Sequence, residues 1–290
     1  MNYLIDFLNF LRYEKHYSSY TINSYRIDLT QCNDFLSVNV RKTIEEANHI
    51  DLQLWIRTLV ENNIKASSIQ RKISSLKSFY KYLIKKGEIK SDPSRKLIMP
   101  KKEKRLPTYV EEKNILELFD KIEFSDDFES QRDKLVLSLL FATGIRLSEL
   151  INIKIGDIDI SSCTLKVLGK RKKERIIPFG KILQKDILNY LKVRPVADVP
   201  YLIITDKFKQ AYPKLIYRIV RKYINMVSTI EKKSPHVLRH TFATILLNHG
   251  ADLNAIKELL GHSNLAATQI YTHNSFERLK DIYRKSHPRM

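Results

Sequence analysis

The chain is organised around a stretch that reads Ser234-Pro-His-Val-Leu-Arg-His240, continues through Leu259-Leu-Gly-His262 and ends at Ile270-Tyr-Thr272. Serine before proline predicts a helix start, because the hydroxyl can cap free amides and the proline ring suits the first helical position. Apolar residues at helical spacing carry this helix to Gly250. A second amphipathic helix ends at Gly261, which we expect to be a left-handed cap. The stretch therefore predicts a mainly helical domain.

The same stretch carries chemically active side chains. His236 and Arg239 lie one helical turn apart, at a helix N-terminus whose free amides and dipole attract anions. That positive end should keep His236 neutral, as a general base must be. Each of these residue types alone is more often structural. Together with His262 and the hydroxyl of Tyr271, they favour phosphoryl transfer through tyrosine.

Length and charge limit the function classes. The chain has 290 residues and a formal net charge of +19, which predicts two domains and a polyanionic partner. Nucleic acid is favoured over membrane, since no apolar run is long enough to span a bilayer and no secretory leader is visible. Cys32 and Cys163 are too few for a disulfide framework or a zinc site. We therefore expect a cytoplasmic protein without membrane insertion.

Residues 1–86 form the first predicted domain, which is helical. Its second helix should open at Ser18 or Ser19, and Ser67 and Gln70 have the spacing of a capping box for the fourth. The polar face of that fourth helix either binds DNA phosphates, with Arg71 and Lys72 as the candidates, or is simply a solvated face. In residues 87–107 the helical spacing of apolar residues disappears, and prolines and basic residues accumulate. This composition indicates a basic linker able to follow a phosphate backbone. Its DNA-binding candidates are Lys101 and Lys102.

Residues 108–290 form the second predicted domain. Thr108 and Glu111 resemble caps for its first helix, and a buried helix ends at Gly144 just before Arg146. Arg146 shares a face with Glu149, as a structural ion pair or as a phosphate-binding arginine held by an acid. Short strands are predicted at residues 158–160, 164–168 and 175–178. The tip between the last two is either a solvated charge run or a DNA-contacting loop, with the cations Lys170, Arg171, Lys172 and Lys173.

Three motifs resemble the tyrosine recombinase family, and within it the bacterial Xer recombinases. They are Ala142-Thr-Gly-Ile-Arg146-Leu-Ser-Glu149-Leu, His236-Val-Leu-Arg239-His-Thr-Phe-Ala-Thr and Leu259-Leu-Gly-His262-Ser-Asn-Leu-Ala-Ala-Thr-Gln-Ile-Tyr271-Thr-His. The resemblance covers the whole chain. It implies a mainly α fold with a small antiparallel β-sheet, made of an N-terminal helical core-binding (SAM-like) domain and a C-terminal catalytic domain.

The resemblance also implies a reaction: site-specific DNA recombination through a 3′-phosphotyrosyl intermediate and a Holliday junction, without ATP or a metal. The implied roles are nucleophile for Tyr271, transition-state stabilisation for Arg146, Arg239 and His262, general base for His236, proton donation to the leaving oxygen for Lys170, and support for Glu149. Arg171 stands where the family usually has glycine, so Lys172 is the alternative to Lys170.

The implied partners are a double-stranded DNA recombination site, a homo- or heterotetramer with a second Xer-type recombinase, and a septal DNA translocase. The implied role is chromosome dimer resolution at a dif-like site. The C-terminal segment, residues 275–290, has an apolar stripe of Phe276, Leu279, Ile282 and Tyr283 at helical spacing. It either folds back onto its own domain or, as the resemblance implies, docks as an exchange helix into a neighbouring protomer, where Leu279 and Ile282 would be buried. Four alternatives stay open: a phage or mobile-element integrase, a type IB topoisomerase, an architectural DNA-binding protein and a metal-dependent nuclease.

Overall fold

The structure, a computed structural model, describes residues 3–101, 108–169, 174–261 and 281–288. It divides into two compact units, Met1–Arg105 and Leu106–Met290. Helices dominate both units, and the second also contains a small antiparallel sheet, which confirms the predicted fold class. Within the described ranges, no helix is both long and apolar enough to cross a bilayer.

Four helices form the framework of the first unit. They are α1 (Tyr3–Asn9), which continues into a π-helical segment at Phe10–Glu14, α2 (Ser19–Asn39), α3 (His49–Glu61) and α4 (Ala66–Lys86). Ser18 caps α2, as predicted, by accepting a 3.2 Å hydrogen bond from the amide of Thr21. The apolar faces of the helices meet in one core whose buried members include Phe7, Leu29, Leu36, Trp55, Ile73, Leu76 and Tyr80.

One local prediction in this unit was wrong. Ser67 and Gln70 form no capping box, because α4 begins at Ala66 and its cap position is Lys65, without a side-chain hydrogen bond. Gln70 instead donates to the Pro100 carbonyl at 2.7 Å. The described part of the segment predicted as a linker lies against the first unit, with Leu97 buried in its core. Its assignment as an interdomain linker stays a prediction.

The second unit is built around α6 (Phe128–Thr143), whose residues from Leu135 to Thr143 are all buried. The helices around it are α5 (Glu112–Lys121), α7 (Leu147–Leu150), α8 (Lys181–Val193), α9 (Pro213–Val227), α10 (Pro235–Asn248) and α11 (Leu253–Leu260). The predicted end of α6 at Gly144 is confirmed. Glu111 lies at the cap position of α5, but its side chain makes no cap hydrogen bond, so the predicted side-chain capping of α5 was wrong.

A three-stranded antiparallel sheet lies in the second unit. Its strands are β1 (Ile158–Asp159), β2 (Thr164–Leu168) and β3 (Glu174–Pro178), in the order β1-β2-β3. Leu165 pairs with Ile177 and Val167 pairs with Arg175. Both members of each pair are buried, so a charged side chain, Arg175, occupies an inward position of β3.

The described end of the tail packs against its own unit. Tyr283 is 0% exposed, and its hydroxyl donates to the Ala142 carbonyl at 2.8 Å, while the ring of His287 stacks on it at 5.0 Å. Ile282 packs against the same core. The carbonyls at the end of α6 hold this segment in cis within this chain, and docking of the tail into a neighbouring protomer stays a prediction. Residues 275–280 lie outside the described ranges.

Candidate active site

Arg239 is held at the junction of two helix ends. The helix α10 places it one turn after Pro235, and the residue is only 9% exposed. Its Nη1 donates to the Gly144 carbonyl at 2.6 Å, just past α6, and its Nη2 donates to the Leu260 carbonyl at 2.7 Å, at the end of α11. Ser234 occupies the predicted cap position of α10 but makes no side-chain cap hydrogen bond. Protein carbonyls therefore fix the guanidinium orientation.

Arg146 reaches the same end of α11 from another direction. Gly144, with φ at +58°, turns the chain out of α6 and leads it to Arg146 at the start of α7. Nη2 of Arg146 donates to the Gly261 carbonyl at 2.6 Å, and Nη1 donates to Oε1 of Glu149 at 2.7 Å. The backbone amide of Arg146 donates to the other carboxylate oxygen of Glu149 at 2.8 Å. The predicted pairing of Arg146 with Glu149 is present.

A third arginine, Arg175 of β3, completes this site. It makes two parallel hydrogen bonds to the Glu149 carboxylate, at 2.8 and 2.9 Å, and its Nε donates to the Leu259 carbonyl at 2.9 Å. Sequence reasoning missed it and read the residue only as the start of a strand. The available signal was its inward position next to Ile177, since a charge facing a core requires a partner. We call Arg146, Arg175 and Arg239, together with Glu149, the arginine cluster.

The arginine cluster sits on the C-terminal end of α11. The last carbonyls of a helix lack intrahelical donors and carry its negative dipole end, so they attract guanidinium groups. Three successive carbonyls, those of Leu259, Leu260 and Gly261, each accept from a different arginine. Gly261 is in the left-handed region with φ at +65°, as predicted, and a Cβ there would lie 3.0 Å from Nη1 of Arg175.

The cluster has more positive than negative charge. Within the described ranges, Glu149 is the carboxylate that forms ion pairs with it, so three guanidinium groups face one acid. The Arg175 and Arg146 hydrogen bonds outweigh burial and lower the pKa of Glu149 to about 2, so that it is ionised at neutral pH. Burial first, and then the charge of Arg146, lower the pKa of Arg239 to about 10, so that it remains a cation. The site is suited to an anion.

His236 lies at the exposed edge of this site, one turn before Arg239. Partial desolvation first, and then the nearby charges of Arg239, His240 and Arg146, lower its pKa below the ordinary histidine value. The prediction that His236 is neutral near pH 7 is supported in direction. Desolvation and neighbouring cations are the physical causes, where the sequence reasoning invoked the helix dipole alone.

Seven predicted residues lie outside the described ranges. They are Lys102, Lys170, Arg171, Lys172, Lys173, His262 and Tyr271. In the chain, His262 directly follows Gly261, whose carbonyl binds Arg146, and Lys170 directly follows Gly169 at the end of β2. Among the residues that are described, no group of three or more His, Cys, Asp or Glu side chains is placed to hold a metal ion.

The DNA-binding predictions in the first unit have different outcomes. Lys72 is only 6% exposed, and its ammonium donates to Oδ1 of the buried Asp28 at 3.0 Å and also contacts Gln31. Its prediction as a phosphate contact is corrected, because the charge is neutralised inside the unit. Arg71 pairs with the same Asp28 but is partly exposed, and Lys101 is exposed. These two stay predictions.

Comparison with known proteins identifies the family. Residues 108–278 match the phage integrase family, and residues 4–87 match the phage integrase N-terminal SAM-like domain. These two matches cover most of both structural units. They also include the residues of the arginine cluster and the predicted nucleophile.

Close relatives and a solved structure agree with this match. The chain is 40% identical to the tyrosine recombinase XerC of Staphylococcus epidermidis, with 98% of this chain and 96% of the relative covered. It is 37% identical to the tyrosine recombinase XerC of Chlorobaculum parvum, with 99% and 94% covered. A XerH site-specific recombinase bound to difH substrate in a pre-cleavage complex is 25% identical, with a TM-score of 0.69 and 90% and 78% covered. The chain belongs to the phage integrase family and is a site-specific DNA recombinase of the Xer-type tyrosine recombinases.

Proposed function

We propose that Arg146 and Arg239 of the arginine cluster bind the scissile phosphate of a DNA recombination site and that Tyr271 attacks it. The observation that carries this proposal is the convergence of Arg146 and Arg239 on the neighbouring carbonyls of Gly261 and Leu260. A guanidinium has five N–H donors, and the contacts within the described ranges use two from each of these arginines. The remaining donors can bind the non-bridging oxygens of a phosphate.

The proposed step breaks one phosphorus–oxygen bond and forms another. The Tyr271 oxygen attacks phosphorus, the 5′-oxygen of the next nucleotide leaves, and a 3′-phosphotyrosyl link holds the strand. Arg146 and Arg239 stabilise the extra negative charge of the pentacoordinate transition state, and His262 donates to a non-bridging oxygen. The reverse attack by a 5′-hydroxyl from a partner duplex completes strand exchange through a Holliday junction. The phosphodiester bond energy is conserved in the link.

Two proton transfers accompany this step. Tyrosine has an ordinary pKa of about 10, so its proton must be taken up near neutral pH. His236 is the proposed base, supported by the lowered pKa of its ring beside Arg239. Lys170 is the proposed donor to the leaving 5′-oxygen. Glu149 orients Arg146 through two hydrogen bonds.

The proposed cellular role is resolution of chromosome dimers at a dif-like site in the cytoplasm. It is supported by the full-length likeness to tyrosine recombinases named XerC and by the DNA-bound XerH complex. A tetramer on two sites, made with itself or with a second Xer-type recombinase, and control by a septal DNA translocase belong to the same proposal.

Substitution of the proposed nucleophile tests this function. Tyr271→Phe removes one oxygen, so site binding should persist while the covalent protein–DNA complex on a nicked candidate site disappears. The measurement is denaturing gel electrophoresis of labelled DNA after reaction with wild type and variant in EDTA. Covalent complex formed by Tyr271→Phe would exclude Tyr271, and strict dependence on added magnesium would favour a metal-dependent nuclease.

A further inference from the structure

Arg175 differs from the other two arginines of the cluster in how its donors are used. Three of its five N–H groups are engaged with the protein, two with Glu149 and one with the Leu259 carbonyl. The residue is only 6% exposed, whereas the Arg146 side chain is 22% exposed. Arg175 is thus directed at a protein carboxylate and a protein carbonyl, and away from a substrate.

The carboxylate that Arg175 holds is the one that orients Arg146. Oε1 of Glu149 accepts from both Arg175 and Arg146, at 2.8 and 2.7 Å, and Oε2 accepts from Arg175 and from the Arg146 backbone amide, at 2.9 and 2.8 Å. Both carboxylate oxygens are therefore shared between the two arginines. A change in the position of Arg175 must change the position of Glu149, and with it that of Arg146.

We propose that Arg175 is a positioning residue for strand cleavage, which fixes the phosphate-binding geometry of Arg146 through Glu149 and the end of α11. This inference rests on the proposed function, since it assigns Arg175 to the same site. A lysine at this position would retain the charge but not the planar fork that binds both carboxylate oxygens and the Leu259 carbonyl together. The left-handed Gly261 leaves the space that the Arg175 side chain needs.

The position of Arg175 in β3 gives this contact a wider effect. Glu174 pairs with Leu168 across the sheet, and Arg175 follows it two positions after residues 170–173, which include Lys170. The same residue therefore anchors this end of the hairpin to the last turn of α11. A rigid anchor here is valuable because a misplacement of about 1 Å at a reacting centre can cost on the order of 10²-fold in rate.

The test compares two substrates that differ at one non-bridging position of the scissile group, where a methyl group replaces a charged oxygen. Single-turnover formation of the covalent complex is measured for wild type and Arg175→Lys on a nicked site with a phosphate or an uncharged methylphosphonate at the scissile position. Arg175→Lys should be slower by on the order of 10²-fold on phosphate and by less than about 10-fold on methylphosphonate, because the latter lacks the charge that Arg146 neutralises. Site binding should change little.

Arg132→Lys is the matched control. Arg132 is also a buried arginine paired with acids, Asp133 and Asp206, but it lies near the other end of α6. Its substitution should leave the ratio of phosphate to methylphosphonate rates at the wild-type value. If Arg175→Lys does not fold, Arg175→Gln takes its place, because Glu149 keeps its ion pair with Arg146 in that variant, and it should show the same selective deficit on phosphate.

The outcomes separate this inference from the function on which it rests. An equal deficit of Arg175→Lys on both substrates, or no deficit, would overturn the positioning role while wild-type cleavage leaves the function standing. Rescue of Arg175→Lys only by a substrate with a 5′-bridging sulfur would place its effect on the leaving oxygen and would also overturn the role proposed here. Failure of wild type to form any covalent complex would remove the proposed function and this inference together.

Discussion

Two sets of cations, one in each unit, differ in how much of their buried charge is neutralised. In the first unit, Lys72 donates to Asp28, a fully buried acid that also pairs with Arg71, and its ammonium lies 5.6 Å from the centre of the Trp55 ring. In the second unit, Arg146 and Arg175 share the carboxylate of Glu149, and Arg239 is held by the carbonyls of Gly144 and Leu260. In the first unit the buried charges of Lys72 and Asp28 cancel, and Arg71 is partly exposed. In the second unit the arginines of the cluster outnumber the acid that pairs with them, so positive charge remains.

The partners of these cations distinguish a structural cation from one that binds an anionic ligand. A buried lysine that pairs with a buried acid contributes to stability, because its N–H groups donate to the protein itself. Carbonyl partners orient a guanidinium without cancelling its charge, and they leave N–H groups available for a phosphate. The number of basic residues on a helix face, which guided the prediction for Lys72, does not distinguish these cases.

The largest expected contrast is between Arg239→Ala and Lys72→Met. Arg239→Ala should slow covalent complex formation by on the order of 10²- to 10³-fold, as removal of a donor to a charged transition state does. Lys72→Met should lower stability and leave the cleavage rate of folded protein within about twofold, because its ammonium is bound inside the first unit by Asp28 and Gln31. Single-turnover cleavage at saturating protein measures both. A large rate loss in Lys72→Met would contradict the distinction between the two sets of cations.

Replacement of Asp28 and of Glu149 should both lower stability, but only replacement of Glu149 should slow cleavage. Asp28→Asn leaves Lys72 buried without its counter-charge and should destabilise the first unit by about 3 kcal/mol. Urea unfolding followed by fluorescence measures this, since Trp55, the one tryptophan of the chain, lies in that core. Glu149→Gln should also destabilise its own unit, and in addition it should slow cleavage. Equal effects of the two variants on the cleavage rate of folded protein would break the contrast.

The lowered pKa of Glu149 predicts that the stability of the second unit depends on pH. The Glu149 pKa is lowered from the ordinary 4.5 to about 2 in the folded chain, so its ionised form stabilises the folded state. This contribution is fully present above about pH 4.5 and is lost as the pH falls through about 2. Hydrogen exchange of α6 amides across this range should show a steeper loss of protection in wild type than in Glu149→Gln. Identical acid profiles would indicate that Glu149 gains nothing from its arginines.

The smallest effect concerns Arg71, the partly exposed partner of Asp28. If Arg71 contacts a DNA phosphate, Arg71→Ala should weaken binding equally for all sequences and reduce the slope of log affinity against log salt by about 1. Lys72→Met, one residue away, should leave that slope unchanged. Fluorescence anisotropy titrations at several salt concentrations provide the measurement. An unchanged slope in Arg71→Ala would make Arg71 a purely structural residue.

Local sequence patterns predicted the features that depend on neighbours along the chain. The Arg146–Glu149 pair follows from helical spacing, and Gly144 and Gly261 end their helices in the left-handed region. Partners distant in sequence were the ones missed. Arg175 was read only as a strand residue, since its acid lies 26 positions earlier. Lys72 was assigned to DNA because no local pattern reveals that Asp28 approaches it from another helix.

The tail illustrates the same limit. Its apolar stripe predicted burial, and burial of Tyr283 is what the structure contains. The stripe carries no information about which chain supplies the other side of the contact. The carbonyls of Phe141 and Ala142, which face His287 and Tyr283, belong to the same chain and are separated from them by more than 140 positions. Such a contact is determined by tertiary packing.

We expect Arg146 and Arg239 to bind one phosphate while they keep their hydrogen bonds to the end of α11. The most direct test is a crystal structure of Tyr271→Phe bound to its recombination site. We predict that N–H donors of both arginines lie about 2.7–3.2 Å from non-bridging oxygens of the scissile phosphate, with the hydrogen bonds to the Gly261 and Leu260 carbonyls intact. A scissile phosphate bound elsewhere, or arginines that leave those carbonyls to reach it, would contradict the account.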